Sequence, residues 1–369
     1  MPIYMDRHDL AVTAKDVAEA HREDVKIQDK YHCKGLTYWF DEQRGSAFCL
    51  VEAPNAECVK NMHDHAHGLV PHQIIEVESN VVSAFLGRIT DPKPENILAD
   101  ADLPIINDSA YRIIMYISMR EAMLLKSIVG QEKALQMINQ ARDSIQRSIN
   151  RFSGSEVIKD NSKLIISFKL AEKAVRCALE IQQVVSASFQ STAFANLNIK
   201  IALNAGMPVS NQKSLFGETI QLAERLCEVS NQNQIVISSA VREMYNNENL
   251  DGLHNETQLQ ALNPDDEDFV NQLIETTETI WNDPKFEVGI FGKQVGLSRS
   301  QLYRKTSAIT GLSPNEFIKE YRLKKALKLI ETKKGNIAQI TFETGFNSPS
   351  YFSKCFHKRY GVLPSNLVK

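Results

Sequence analysis

No run of about 18 consecutive apolar residues occurs in this chain, so no membrane span is expected. The opening residues, Met1-Pro2-Ile3-Tyr4-Met5-Asp6-Arg7-His8, lack a basic segment followed by an apolar one, so no secretory leader is expected. The six cysteines, at positions 33, 49, 58, 177, 227 and 355, include no C-x-x-C pair. That spacing gives neither a dithiol redox motif nor a disulfide framework, and a reduced cytoplasm is the simple expectation. There is little excess of either charge, the net being -3. What is present is length and core: 369 residues, 43% of them hydrophobic, suffice for two or three domains at ~100–200 residues each.

The small net charge hides an asymmetry. Residues 281–369 carry 16 Lys and Arg against 6 Asp and Glu, whereas the rest carries 26 against 39. A basic tail on an acidic body suits a nucleic-acid reader with a separate sensor, and a merely solvated basic face gives the same count.

Punctuation divides the chain further. Residues 1–79 alternate strand, helix, strand, strand, helix, strand: Thr13 and Asp16 cap the first helix, Asn55 the second, and Leu36–Phe40 and Ala47–Val51 flank a polar turn. This order predicts a ferredoxin-like α+β domain. Residues 80–108, with Asp91-Pro92-Lys93-Pro94, are expected to be a linker. Residues 109–250 alternate strands and helices again, as a central α/β domain. Residues 251–265 are a second expected linker, and 266–369 keep helical periodicity to the end, as an all-α domain.

The last segment holds two helix-turn-helix patterns. In the first, a short helix over 288–295 meets a turn at Gly296, and Ser298 with Gln301 makes an S-x-x-Q capping box. Arg299, Ser300, Gln301, Arg304 and Lys305 fall on the open faces, and Leu302 and Tyr303 face inward in part. In the second, a helix over 337–344 meets Gly345, then Asn347, the cap Ser348, and Pro349 at the first helical position. Ser350, Tyr351, Lys354 and Lys358 follow. A short helix, polar at its start, fits a major groove about 12 Å wide, where Arg304 can pair with guanine and Gln301 with adenine. The other basic residues neutralise phosphates.

Those residues carry a resemblance. The stretches Gly296-Leu297-Ser298-Arg299-Ser300-Gln301-Leu302-Tyr303-Arg304-Lys305 and Gly311-Leu312-Ser313-Pro314, then Glu343-Thr344-Gly345-Phe346-Asn347-Ser348-Pro349, resemble the AraC/XylS family of transcription regulators. The resemblance implies promoter DNA as partner, two recognition helices in successive major grooves, a joining helix bearing Arg322, Leu323, Lys324 and Lys325, a homodimer, and contact with RNA polymerase.

A second resemblance sits in the centre. Ile199-Lys200-Ile201-Ala202-Leu203-Asn204-Ala205-Gly206, then Gly217-Glu218-Thr219-Ile220-Gln221-Leu222-Ala223-Glu224-Arg225, look like the latter half of a class III nucleotide cyclase domain. Such catalysis needs two carboxylates for paired metal ions. The opening strand, Arg112-Ile113-Ile114-Met115-Tyr116-Ile117-Ser118, has no acid, and Asp160 stands only near the second position. No catalytic residue is therefore assigned and the chain is not expected to be an enzyme. The domain is read as degenerate, for dimerisation or nucleotide binding. Arg225 corresponds to the family's transition-state arginine, with a structural ion pair as the competing role. A working cyclase, or a nucleotide-binding sensor fused to a DNA-binding head, is the alternative function.

Seven of the nine histidines fall within the first 72 residues. His63 and His67, four apart on a helix, face the same way and can hold nickel, zinc or copper. Histidines near a helix C-terminus also answer its dipole with no ligand at all. The N-terminal motifs Ala18-Glu19-Ala20-His21, Leu36-Thr37-Tyr38-Trp39-Phe40-Asp41 and the segment 63–75 resemble a small ferredoxin-fold family described as nickel-responsive. That resemblance makes His8, His21, His63, His67 and His72 the candidate ligands for nickel or another divalent metal. The leading reading is a cytoplasmic, ligand-controlled DNA-binding regulator. Metal buffering, with DNA binding incidental, competes with it.

Overall fold

Local chemistry starts the first domain. The Thr13 side chain accepts from the Asp16 amide while the Asp16 carboxylate takes the Thr13 amide, and helix α1 (Ala14–Ile27) runs from that box. Asn55 caps α2 (Ala56–His67) by accepting the Cys58 amide, without a reciprocal bond, and Gly68 ends it at φ +75°, a conformation glycine adopts without steric penalty. These two helices pack on an antiparallel sheet of β1 (Ile3–Asp9), β2 (Lys34–Asp41), β3 (Ser46–Glu52) and β4 (Gln73–Val77). The sheet order β2-β3-β1-β4 is the ferredoxin-like arrangement.

The structure is a computed structural model. It describes residues 1–9, 12–92, 98–100, 103–119, 122–159, 163–188, 199–231, 234–248 and 259–368.

The stretch expected to be a linker instead opens in a helix, α3 (Ser79–Leu86), with Val82, Phe85 and Leu86 buried. Those apolar residues recur at helical spacing just before the Pro-rich run that dominates the segment's composition. The carbonyls of α3 end on Arg112. Its guanidinium, buried at the start of the next domain, donates to Phe85 O at 3.1 Å, Leu86 O at 3.3 Å, Ser109 O at 2.6 Å and Tyr111 O at 2.8 Å. A small hairpin, β5 (Leu98–Asp100) with β6 (Leu103–Ile105), follows α3 in the chain.

The central domain is a six-stranded sheet flanked by helices. In chain order it runs β7 (Arg112–Ser118), α4 (Ala122–Val129), α5 (Gln131–Arg151), β8 (Ser155–Lys159), β9 (Lys163–Phe168), α6 (Ala171–Ser188), β10 (Lys200–Gly206), α7 (Gly217–Val229), β11 (Ile235–Ile237), α8 (Ser239–Glu248) and β12 (Leu259–Ala261). The strand order is β12-β11-β10-β7-β9-β8. Strand β7 alternates between two cores, as a strand buried on both faces must. Ile113, Met115 and Ile117 join the core that holds residues of α5, α6 and α8, while Ile114 and Tyr116 join the one reaching α7. Pairing of β12 with β11 carries the sheet into the second expected linker, whose residues 251–258 lie outside the described ones.

Six helices complete the chain: α9 (Pro264–Ile280), α10 (Val288–Gln294), α11 (Arg299–Thr310), α12 (Pro314–Glu331), α13 (Ile337–Glu343) and α14 (Pro349–Tyr360). Long α12 joins the two helix pairs and buries Phe317, Ile318, Tyr321, Leu323, Ala326, Leu327 and Ile330. The second pair closes over Phe346, Phe352, Phe356 and Tyr360, whose successive rings meet at steep tilts with centroids 4.7–5.6 Å apart.

Candidate nucleic-acid interface and metal centre

Gly296 sits between α10 and α11 at φ +72°, and Gly345 between α13 and α14 at φ +75°. A Cβ at Gly345 would also lie 2.9 Å from the Asn282 carbonyl, so this turn excludes any side chain. The two following helices, α11 and α14, expose most of the residues assigned to DNA. Ser298, Arg299, Ser300, Gln301 and Arg304 are exposed on the first; Asn347, Ser350, Tyr351, Lys354 and Lys358 on the second.

Four of the assigned side chains have other work, Ser298 as the cap of α11 through the Gln301 amide. Gln301 accepts the Ser298 amide at its Oε1 at 3.0 Å, completing the capping box. Ser348 caps α14 through the Tyr351 amide. Lys305 is half-buried, its ammonium 5.4 Å from the Phe269 ring centroid. Tyr303, expected to turn partly inward, is 56% exposed beside fully buried Leu302, because helical phase puts only the latter under α10. On α12, Arg322 is bound to the carbonyls of Trp281, Asp283 and Gly345 at 2.6–2.9 Å and so anchors the second turn. Lys324 and Lys325 pair with Glu228 and Glu278. Arg322 and Lys325 are half-buried in these contacts, whereas Lys324 stays exposed beside Glu228.

Inside the first domain, four elements converge on one buried charge network. β1 brings Asp6 and His8, α1 brings Asp24, β3 brings Cys49, and α2 brings His63 and His67. Asp6 is bridged by two imidazoles, His63 Nε2 at 3.0 Å and His8 Nε2 at 3.1 Å. His63 Nδ1 meets Asp24 at 3.1 Å, and His67 Nε2 meets the other Asp24 oxygen at 3.2 Å. The Cys49 amide donates to Asp6 at 3.2 Å. Burial alone would push His63 down, but Asp6 and Asp24, one at each ring nitrogen, outweigh it and raise its pKa to about 10. Burial works to raise Asp6 and is likewise overcome by His63 and His8, leaving the carboxyl well below its usual range. Burial and the same carboxylates hold the Cys49 thiol well above its normal range.

The donor atoms of Asp6, His8, Cys49 and His63 lie within 4.8 Å of one another, as do those of Asp24, His63 and His67. His8 Nδ1 is buried with no hydrogen-bond partner among the described residues. Imidazole nitrogens among carboxylate oxygens suit a divalent ion of borderline softness. The other two candidate histidines stand elsewhere. His21 packs its ring 5.0 Å from Tyr38, where burial pushes its pKa down, and exposed His72 accepts the Asp9 amide at 3.2 Å. Asp6, Asp24 and Cys49 were not among the sequence candidates. Asp6 shares β1 with His8 and Asp24 shares α1 with His21, while Cys49 comes from β3, and only the register of β1 against β3 could have placed Asp6 beside Cys49.

In the central domain, Arg225 bonds Asn271 at 2.7 Å and Glu275 at 2.9 Å, tying α7 to α9. Gln221 accepts from Gln212 at 2.8 Å. Asp160 lies outside the described residues.

Comparison with known proteins assigns both ends of the chain. Residues 291–369 match the family model described as a helix-turn-helix domain. The C-terminal segment is a helix-turn-helix domain of the AraC type. Residues 4–77 match the family described as nickel responsive protein SCO4226-like. Among curated relatives, "Histidine kinase P4" of Formosa agariphila is 44% identical over 100 residues, 27% of this chain and 7% of its own length. The "HTH-type transcriptional activator RhaS" of Mannheimia succiniciproducens is 28% identical over 183 residues, 46% of this chain and 63% of its own. The chain thus spans less than two thirds of either relative. A solved adenylate/guanylate cyclase/hydrolase from Silicibacter pomeroyi is 24% identical with a TM-score of 0.33, covering 38% of this chain and 81% of that one. No helix among the described residues is long and apolar enough to cross a membrane.

Proposed function

We propose that this chain is a DNA-binding transcription regulator of the AraC type, acting as a homodimer and controlled by nickel or a similar divalent ion held in its N-terminal domain. The observation that carries the DNA reading is the pair of exposed polar helices, α11 and α14, set behind two glycine turns in a segment with a net basic charge. Arg299 and Arg304 on the first, and Lys354 and Lys358 on the second, are the exposed cations for base edges and phosphates.

The metal reading rests on the buried cluster and on the family matched by residues 4–77. One ion would be held either by Asp6, His8, Cys49 and His63 or, at the other ring nitrogen of His63, by Asp24, His63 and His67. The ion supplies a fixed positive charge in a site that its own carboxylates already make attractive. To act as a ligand, His63 would give up the proton on the nitrogen that faces the ion, Nε2 toward Asp6 or Nδ1 toward Asp24. The central domain, with no acid on β7, is read as a non-catalytic relay. Control requires that the bound ion favour one arrangement of the helix-turn-helix units over another.

The test is fluorescence anisotropy of the full chain on DNA from its own upstream region, at fixed salt, after chelation and again with nickel. The expected result is saturable binding whose midpoint moves with nickel. Arg304→Ala should weaken it by ~1–3 kcal/mol, the cost of one lost bidentate base contact. Binding that ignores nickel overturns the metal control and leaves the DNA reading standing. Nickel uptake without DNA binding favours buffering.

A further inference from the structure

A cavity of about 460 Å³ lies where the central domain meets the helix-turn-helix domain. That volume suits a small organic molecule. One wall comes from the central domain: Tyr116 and Ser118 of β7, Lys200 of β10, and Glu224 and Glu228 of α7. Lys200 pairs in register with Ser118, two residues from Tyr116, so all three side chains leave the same face of the sheet. The opposite wall comes from both helix-turn-helix units: Thr310 and Leu312 at the end of α11, Phe317 and Leu327 of α12, and Tyr360 closing α14.

The charges lining it are unevenly matched. Lys324 pairs with Glu228 at 2.8 Å, and Arg359 pairs with Glu320. Lys200 donates to the Glu228 backbone carbonyl at 3.2 Å and joins no ion pair among the described residues. Burial pushes its pKa down, as expected for an ammonium short of a counter-charge. Glu224 accepts the Tyr116 hydroxyl at 2.8 Å and joins no direct ion pair among the described residues, Lys324 acting on it only at longer range. The cavity therefore offers one cation and one carboxylate without an ionic partner, between apolar side chains. Three carboxylates against three cations leave no positive excess for a polyanion such as a nucleotide.

We propose that this cavity binds a small zwitterion with an apolar body, of the apolar amino-acid class, its carboxylate on Lys200 and its ammonium on Glu224. The apolar part lies against Leu312, Phe317 and Leu327. Because the ligand touches the ends of both α11 and α14, its occupancy changes how the two recognition helices are held against the central domain. The site is separate from the histidine cluster and does not depend on a metal.

Calorimetric titration of the chelated full chain with L-phenylalanine and L-leucine tests it, with 3-phenylpropionate and 2-phenylethylamine as single-charge analogues. The expected result is one amino acid bound per chain, and each analogue at least about tenfold weaker. Glu224→Gln, at an exposed position, should weaken phenylalanine about tenfold, and Leu312→Trp should abolish binding by filling the space. Lys200→Met should act like Glu224→Gln; if it fails to fold, the other two variants decide. No binding of either amino acid, an analogue as tight as the amino acids, or full affinity in Glu224→Gln and Leu312→Trp overturns the assignment. Nickel uptake should be unchanged in all these variants, so loss of this site and loss of the metal reading are told apart.

Discussion

His63 shows how much one residue can carry. Its ring is 1% exposed between two carboxylates, and removing it leaves Asp6 and Asp24 as buried charges with a single imidazole each. His63→Ala is therefore expected to destabilise the N-terminal domain by ~3–5 kcal/mol, the usual cost of breaking a buried pair from one side. His65→Ala, on the same helix but bonded only to the Asn61 carbonyl at 2.9 Å, should cost little. Urea denaturation followed by circular dichroism compares the two, and equal stabilities would remove the network from the account. The sequence made His63 and His67 visible through their four-residue spacing, a local property. It hid Asp6 and Asp24 because their shared partner, His63, is 57 and 39 residues away along the chain, although His8, the other partner of Asp6, is a near neighbour. It misdirected attention to His72, close to the cluster in sequence and turned out to solvent in space.

At the scale of elements, capping and periodicity carried most of the information. Thr13, Asn55, Ser298 and Ser348 start helices where the sequence places them, because a cap needs only a side-chain oxygen and an amide three residues on. Helix α3 was missed for the opposite reason. Eight residues are too few for a clear period, and what stabilises them is tertiary: Val82 and Phe85 in the core, and the Arg112 guanidinium on the final carbonyls. Arg112→Met is expected to orphan those carbonyls and lower stability by ~1–3 kcal/mol, measured by denaturant midpoint. A second element contact responds to pH. Burial at the α9–α12 contact works to raise Glu278, but the Tyr321 hydroxyl and Lys325 outweigh it and hold it below its ordinary range. A depressed carboxylate contributes stability above its unfolded pKa of about 4.5 and loses it as pH falls through the lower folded value. Glu278→Gln should flatten the acid limb of the stability curve there, and an unchanged limb would assign that loss to other carboxylates.

Across the whole molecule, one apolar cluster runs through all three domains. It includes Met5, Trp39 and Ile75 of the first sheet, Phe85 of α3, Ile114 and Phe216 of the central domain, Val270 of α9, and Phe291 and Leu302 of the first helix-turn-helix unit. Phe85 and Phe216, with ring centroids 4.7 Å apart, are one of the points where α3 meets the central domain, beside the Arg112 and Ser167 bonds to its carbonyls. Contiguous packing is not itself coupling; coupling is a free energy that both sites must report equally. If nickel shifts DNA affinity by some factor, saturating DNA must shift nickel affinity by the same factor. Phe216→Leu, which keeps an apolar side chain but loosens this contact, is expected to shrink both shifts together while leaving the affinity of each site for its own ligand within about twofold. Titrating nickel with and without DNA, in both proteins, measures it. Shifts that stay full-sized in the variant would route the signal through other contacts, such as Arg225 of α7 with Asn271 and Glu275 of α9.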